Sequence, residues 1–468
     1  MTTTIDVTAA LGPSIEGEVI GRADPRYDDA RALYNRCRES RPRAVVRCAS
    51  AEDVAVSIRF AVSEGLQVAV RAGGHGFGGH ASVQDGLVLD LRGLDHVRVD
   101  DARRVAAVGG GALAGQVDLA THQFGLATTT ATVSTVGVAG FTLSGGISYL
   151  SRRHGLAVDN LVGADVVLAD GTMVQAGEGG DEDMLWGLTG GGGNFGVVTE
   201  LRMRLHSVAV VTGGPMLFPL ERTERVTRRF RDWMPQQPED IYAFLAILTV
   251  PPDAGFPAEL RGRPACALVW CNTAPEERAE RALAVFRAEH PVVDGVGRLP
   301  YPALQSAFDA AAGQGRYGHL TGLLYQDLPD AAAAELEHFG RTQPTVLCQS
   351  HLYPLDGAAA RADRGDTAWP WRDAAFAQMF AGAAATAGHE DAVRDWSTGF
   401  RDALRPFAMA GQYANFATDE SAEVSRACYG DNAERLARLK ARYDPANVFR
   451  RNHNIVPVAE PGPQPERP

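Results

Sequence analysis

Residues 71–80 read RAGGHGFGGH, five glycines and two histidines in ten positions. Gly74, Gly76 and Gly79 satisfy the G-x-G-x-x-G spacing of a dinucleotide-binding turn. The flanks decide how the stretch folds. Upstream, Ser50 to Asp53 is a capping-box-like start, with Asp in place of Glu, for a helix carrying Val54, Ile58, Ala61 and Val62 and stopping at Gly65. Leu66, Val68 and Val70 then alternate as a strand that runs straight into the glycines. Downstream comes no helix but VQDGLVLDL, a turn at Asp85–Gly86 and a second strand. A Rossmann fingerprint must open a helix, because the helix N-terminus receives the pyrophosphate. Strand, glycine loop, strand argues against it. The P-loop consensus is absent too, since no Gly-Lys-Ser/Thr follows.

The same architecture recurs outward from this stretch. RRVAAVGGG (103–111) is a strand ending in glycines, and ALAGQVDLATHQFG (112–125) is helical. STVGVAGFTLSGG (134–146) reads as another glycine-spaced loop. ADVVLADGTMVQ (164–175) is a hairpin on the Asp170–Gly171 turn. DEDMLWGLTGGGGNFGVVTEL (181–201) gives a short helix, glycines 190–193 and a strand. Glycine-rich loops on an α+β scaffold can surround an extended, polyphosphate-containing ligand with backbone N–H donors.

From about residue 206 the glycine spacing disappears. Strand-like runs (IYAFLAILTV, ACALVWC) mix with Ala-rich helices (APEERAERALAVFRAEH, DAAAAELEHFG), with loops near 251–264 and 355–370. After 411 the character reverts: GQYANF, then NAERLARLKARYDPANVF, a helix ended at Asp444–Pro445, then RRNHNI. The expected organisation is a first unit over 1–205 (core about 40–208), a second over 206–410, a return over 411–460 and a disordered tail over 461–468.

The 468-residue chain, 45% apolar and 22% charged, has the composition of a globular protein, and its length suits two or three domains. A net charge of -12 argues against a nucleic-acid partner. MTTTIDVTAALGPSIEGEV lacks the regions of a signal peptide, and no apolar run approaches the ~18 residues of a membrane span. Cys37, Cys48, Cys266, Cys271, Cys348 and Cys428 form no CxxC pair, so reduced thiols, a cytoplasmic protein and no metal are expected.

Five segments together carry a resemblance: VRAGGHGFGGH, TVGVAGFTLSGGISYLSRRHGLAVDNLVGADVVLADG, LWGLTGGGGNFGVVTEL, YANF and YDPANVFRRNHNI. In order and spacing they resemble the FAD-linked oxidases of the vanillyl-alcohol oxidase superfamily, the berberine-bridge-enzyme-like branch, across residues ~40–205 and ~410–455. The resemblance implies an α+β, PCMH-type FAD-binding fold with an inserted substrate domain, an antiparallel sheet covered by helices. It implies that FAD is bonded through its 8α-methyl carbon to His75, with His80 the only competitor in the loop. A neutral imidazole is a nucleophile able to add to an electrophilic form of that methyl, and a glycine on either side admits the ring.

The resemblance also implies the cofactor contacts. They are Arg71, Gly73, Gly74, Gly76, Phe77, Gly78, Gly79 and His80 in the first loop, and Val136, Gly137, Gly140, Thr142, Gly145, Gly146, Ile147 and Gly155 in and after the second. Asn194, Gly196 and Val198 follow in the third, and Asn452 and Asn454 at the end of the chain suit the pyrimidine edge, because amides donate and accept.

Two departures matter. Where many relatives carry a second, cysteinyl link, this chain has Val133, and no cysteine lies between 49 and 265. A single histidyl tether, as in the 6-hydroxynicotine-oxidase type, is expected, which puts a bulky oligosaccharide substrate in doubt. Where relatives often have a tyrosine (GGGYG), Ile147 stands, and with Val138 and Thr142 it is expected to form an apolar wall. Val136 resembles the valine of the O₂-reactive members.

Tyr413 of YANF matches the family's active-site tyrosine and is the candidate base; Tyr317, His319 and His351 are candidate substrate contacts. The expected activity is a covalent-FAD-dependent oxidase taking a hydride from a C–H next to OH or NH of a small or medium secondary metabolite, with O₂ as acceptor. A flavin-dependent oxygenase and a drug-binding resistance protein with little turnover are the alternatives. Neither nucleic acid nor membrane is expected as a partner, and the chain is expected to be a monomer or homodimer.

Overall fold

The computed structural model describes residues 5–252, 255–419 and 421–458. The stretch over 461–468, read above as disordered, lies outside the described residues.

Strands Glu18–Gly21, Ala44–Arg47, Leu87–Asp90 and Val68–Arg71 make a four-stranded sheet in that spatial order. Val68–Arg71 and Leu87–Asp90 run parallel, with Val68 opposite Leu87. The RAGGHGFGGH stretch is therefore a crossover between neighbouring parallel strands, made by loop where a helix is usual. Helix Ala51–Ser63 begins as read: Ser50 Oγ accepts from Asp53 N at 3.2 Å, and Gly65 ends it at φ +62°. Only half of the expected box forms. The Asp53 carboxylate turns to the N-terminal segment and accepts from the backbone N–H of Glu16, Gly17 and Ala49 at 2.8–2.9 Å.

A five-stranded antiparallel sheet spans residues 97–204 and contains the Leu161–Val167/Met173–Gly177 hairpin, turned at Gly171 (φ +84°). The segment 134–146, read as a loop, holds helix Val138–Leu143. Val138, Ala139, Thr142 and Leu143 bury one face of it, a helical pattern too short to stand out among the glycines.

Residues 210–384 contribute an eight-stranded antiparallel sheet. Helices Thr223–Trp233, Glu276–Arg287, Asp330–Arg341 and Glu390–Leu404 cover one face, where Phe230, Phe286, Leu336 and Phe400 join Leu245, Ile247, Trp270 and Phe380. Each such aromatic contributes ~1.5–3 kcal/mol by leaving water. The opposite face, with Phe244, Ala246, Val269 and Tyr353, lies on Ile147, Tyr149 and Leu156 of the glycine-rich half. Burial on both faces explains why IYAFLAILTV and ACALVWC read as unbroken apolar runs. The α+β class, with its antiparallel sheet under helices, is as the sequence indicated.

Ion pairs cross between the halves, among them two that are largely buried: Arg152 with Asp356, and Arg372 with Asp159, each at 2.6 Å. The C-terminal segment packs on the glycine-rich half, where Leu436, Leu439 and Tyr443 join Val166, Trp186 and Phe195. A fully buried pair, Lys440 Nζ with Asp444 at 2.6 Å, fixes the last turn. Lys440 also donates to the Asn194 and Phe449 carbonyls, and Asp444 accepts from the N–H of Val448 and Phe449. Every polar group of that pair is thus matched, the condition under which a buried charge is tolerated.

Candidate active site

A cavity of about 450 Å³ opens between the glycine loops and the sheet face that rests on them. One wall is backbone. It is formed by the loop containing Gly73–Gly78, the turn through Val136, Gly137 and Gly140, and the loop through Asn194 and Gly196. The two leading loops touch directly: a Cβ at Gly73 would lie 2.4 Å from Gly137 N, and one at Gly137 would lie 2.3 Å from Gly73 N. Only glycine allows that approach.

His75 stacks on Tyr34 (ring centroids 4.1 Å apart, planes at 22°), and its Nε2 lies 3.1 Å from Thr135 Oγ1. Burial lowers its pKa to about 4, so the imidazole is neutral. Thr135 is held in turn from the other half of the molecule, because the Asp309 carboxylate accepts from the N–H and hydroxyl of the adjacent Ser134. Asn194, fully buried, ties the third loop to the C-terminus: it donates to the carbonyls of Gly191 and His453 and accepts from Ile455 N at 2.9 Å. His80 and His453 meet edge to face at 5.0 Å.

Tyr413 closes the seam between the walls. Its oxygen accepts from Gly146 N (2.9 Å), Ile147 N (3.2 Å) and Asn415 Nδ2 (2.9 Å). Burial pushes the phenol up from its ordinary pKa while these three donors pull it down, and the balance is upward. Gly145, at φ +123°, leaves room for this arrangement: a Cβ there would meet Tyr413 and Trp369 at 2.9 Å.

The structure assembles most of the site residues read from sequence and leaves some out. His75, His80, Ile147, His351, Tyr413 and Asn452 line the cavity, as do Phe77, Val198 and the glycines of the backbone wall. Arg71 does not; it is buried beneath the loop and donates to the Ala30 carbonyl at 2.6 Å. Gly79, Gly145, Gly146 and Gly155 are turn positions at positive φ off the wall, and Asn454 also lies off it. Val138 and Thr142 face the core of their short helix, so the apolar trio with Ile147 is not formed. Tyr317 and His319 occupy the opposite face of their strand from cavity-lining Leu320, and His319 Nδ1 lies 2.8 Å from Ser397 Oγ on helix Glu390–Leu404.

Sequence reading missed Tyr34, Thr135, Gln349, Tyr353 and Met379. For Gln349 and Tyr353 a signal existed, since they alternate with His351 along one strand.

The residues fit a flavin. Asn452 keeps its Oδ1 buried and without a partner on the cavity wall, the glycine loops present backbone N–H groups, and His75 is neutral with Nδ1 not engaged by Thr135.

Residues 42–177 match the family model described as "FAD binding domain", and residues 412–456 the one described as "Berberine and berberine like". The chain is 27% identical over 452 residues to an uncharacterized FAD-linked oxidoreductase, YgaK, of Bacillus subtilis, covering 95% of this chain and 98% of that one. It is 38% identical over 195 residues to (R)-6-hydroxynicotine oxidase of Paenarthrobacter nicotinovorans, 42% of this chain and 43% of that one. The solved structure of 6-hydroxy-D-nicotine oxidase from Arthrobacter nicotinovorans superposes with a TM-score of 0.84 at 26% identity, covering 95% of this chain and 98% of that one. With both family segments closing on one glycine-walled cavity, the chain shares the fold and the two FAD-binding segments of the PCMH-type, berberine-bridge-like FAD-linked oxidoreductases.

Proposed function

We propose that the protein is an oxidase whose FAD is bonded once, to His75, and that it oxidises a small or medium organic molecule at a C–H next to OH or NH, passing the electrons to O₂. The observation that carries this reading is the placement of a neutral His75 and of Tyr413 on one cavity. Bound FAD supplies the hydride acceptor. His75 offers the cofactor a nucleophilic nitrogen, with Thr135 and Tyr34 fixing the ring. Val133, on the cavity wall, offers no thiol for a second link.

Tyr413 takes the proton of the substrate heteroatom in its phenolate form, which burial disfavours and its three N–H donors favour. Three N–H donors match the three lone pairs of a phenolate, whereas a neutral phenol accepts two. Asn415 is the donor on a rotatable side chain, free to release the oxygen as a proton arrives. An oxygenase would hold O₂ in an apolar pocket beside the flavin, for which Val138, Thr142 and Ile147 are the candidates; of the three only Ile147 lines the cavity, which leaves the oxidase as the better-supported reading.

The test is chemical. The purified protein should be yellow, its flavin should precipitate with the polypeptide in acid, and His75→Ala should release FAD on denaturation. Turnover should produce hydrogen peroxide and no product carrying labelled oxygen. Wild-type flavin found in the acid supernatant would refute the link.

A further inference from the structure

Three strands of the eight-stranded sheet bring six side chains to the cavity: Leu320, Gln349, His351, Tyr353, Met379 and Ala381. None carries a permanent charge. The three polar ones stand at alternate positions of strand Gln349–Pro354 and are already engaged with one another. His351 Nδ1 lies 2.7 Å from Tyr353 Oη, and His351 Nε2 lies 3.2 Å from Gln349 Oε1. The amide oxygen can only accept, so Nε2 carries the proton and Nδ1 accepts from the Tyr353 hydroxyl. Both ring nitrogens are thereby used in the neutral state.

Burial holds that state, lowering the His351 pKa to about 3, and Phe244 packs on the ring with centroids 4.9 Å apart. Thr132 faces the Tyr353 oxygen and partly offsets the upward push of burial on its pKa. What the row keeps for a ligand is the Gln349 amide N–H groups and one lone pair of Tyr353.

The rest of the cavity supplies no counter-charge to this wall. Among the described residues lining it, the only permanently charged side chain is Arg451, which lies on the glycine-loop side, donating to the carbonyls of Gly79 and Ser82. Asp309 is committed to Ser134 and does not line the cavity. A substrate cation would leave water without meeting a carboxylate, and a substrate anion would meet no basic group on the sheet side. Either transfer is unfavourable in a mainly apolar site.

We propose that the substrate is an electrically neutral alcohol on a mainly apolar carbon skeleton, its one polar end met by the Gln349–His351–Tyr353 row and its body by Leu320, Met379 and Ala381. This rests on the oxidase reading above and narrows it, setting aside amines that are cationic at neutral pH and carboxylates.

The test uses the flavin of the purified holoprotein as reporter, without turnover. Three molecules that share a skeleton, 2-naphthylmethanol, 2-naphthylmethylammonium and 2-naphthoate, are titrated anaerobically while the visible flavin bands are followed. The alcohol should perturb them with a dissociation constant at least ~10-fold below that of either ion. Met379→Glu puts a carboxylate beside His351, its strand partner, and should shift the preference toward the ammonium; Met379→Gln, similar in size and uncharged, should not. The ammonium or naphthoate binding as tightly as the alcohol to the wild type, or the alcohol producing no perturbation, overturns the proposal. The wild-type comparison decides it even if Met379→Glu loses its flavin. A protein purified without any flavin would defeat the parent reading instead, a result distinct from all of these.

Discussion

The two walls of the cavity are built by opposite means. The glycine-loop wall is backbone brought close to backbone, and its specificity lies in side chains that are missing, as where Gly73 and Gly137 touch. The sheet wall is made of side chains standing on rigid strands, Gln349, His351, Tyr353 and Met379, with a second buried layer of aromatics behind them. Removing atoms made the first wall and adding them made the second. The first therefore suits a ligand of fixed, extended shape, and the second can be rewritten residue by residue while the strands stay in place.

Tyr413 sits where the walls meet and gives the largest expected effect. Tyr413→Phe keeps the ring and removes the acceptor, so anaerobic flavin reduction by substrate should slow by ~10²–10⁴ while reoxidation by O₂ is unchanged, as stopped-flow absorbance would report. An unaltered reduction rate would show that Tyr413 is not the proton acceptor.

Gly73→Ala strikes the backbone wall alone. Its Cβ would meet Gly137 N at 2.4 Å, so the loops must part, at a cost of ~1–3 kcal/mol. A lower melting temperature and a smaller flavin content per polypeptide should accompany it. If both stay at wild-type values, the close contact of the loops is not what shapes this wall.

His351→Gln probes the charge-free state of the sheet wall through pH. The folded-state pKa of His351, about 3, lies below the ~6.5 of an unfolded chain, so the unfolded state takes up the proton first as pH falls. The corresponding stability is complete above ~6.5 and is lost progressively toward pH 3, at up to ~1.4 kcal/mol per pH unit for each such group. Urea midpoints measured from pH 7 to pH 4 should therefore fall less steeply in His351→Gln than in the wild type. Equal slopes would mean that the imidazole titrates like an exposed one.

The smallest effect is expected on the reverse of the same sheet. His319→Ala removes the contact with Ser397 and should cost about 1 kcal/mol in stability, while substrate KM stays within about twofold. A large change in KM would show that the sheet wall is not read by its alternation.

The sequence by itself carried the backbone wall, because glycine spacing, turn pairs and the strand–loop–strand order are local properties written in consecutive residues. RAGGHGFGGH, STVGVAGFTLSGG and YDPANVFRRNHNI could each be recognised without knowing what they would touch. The class of fold followed from the same local periods. The sheet wall was decided by tertiary structure alone. Tyr317, His319 and His351 looked equivalent in sequence, but which face of a strand turns to the cavity depends on register with neighbours far along the chain, and register delivered His351 and withheld the other two. The same holds for Tyr34 beneath His75 and for Asp309 on Ser134, where the residue reaching each motif lies in a segment that carries no motif of its own. Covalent neighbours are fixed by the order of the chain, whereas spatial neighbours are set by how its buried faces pack.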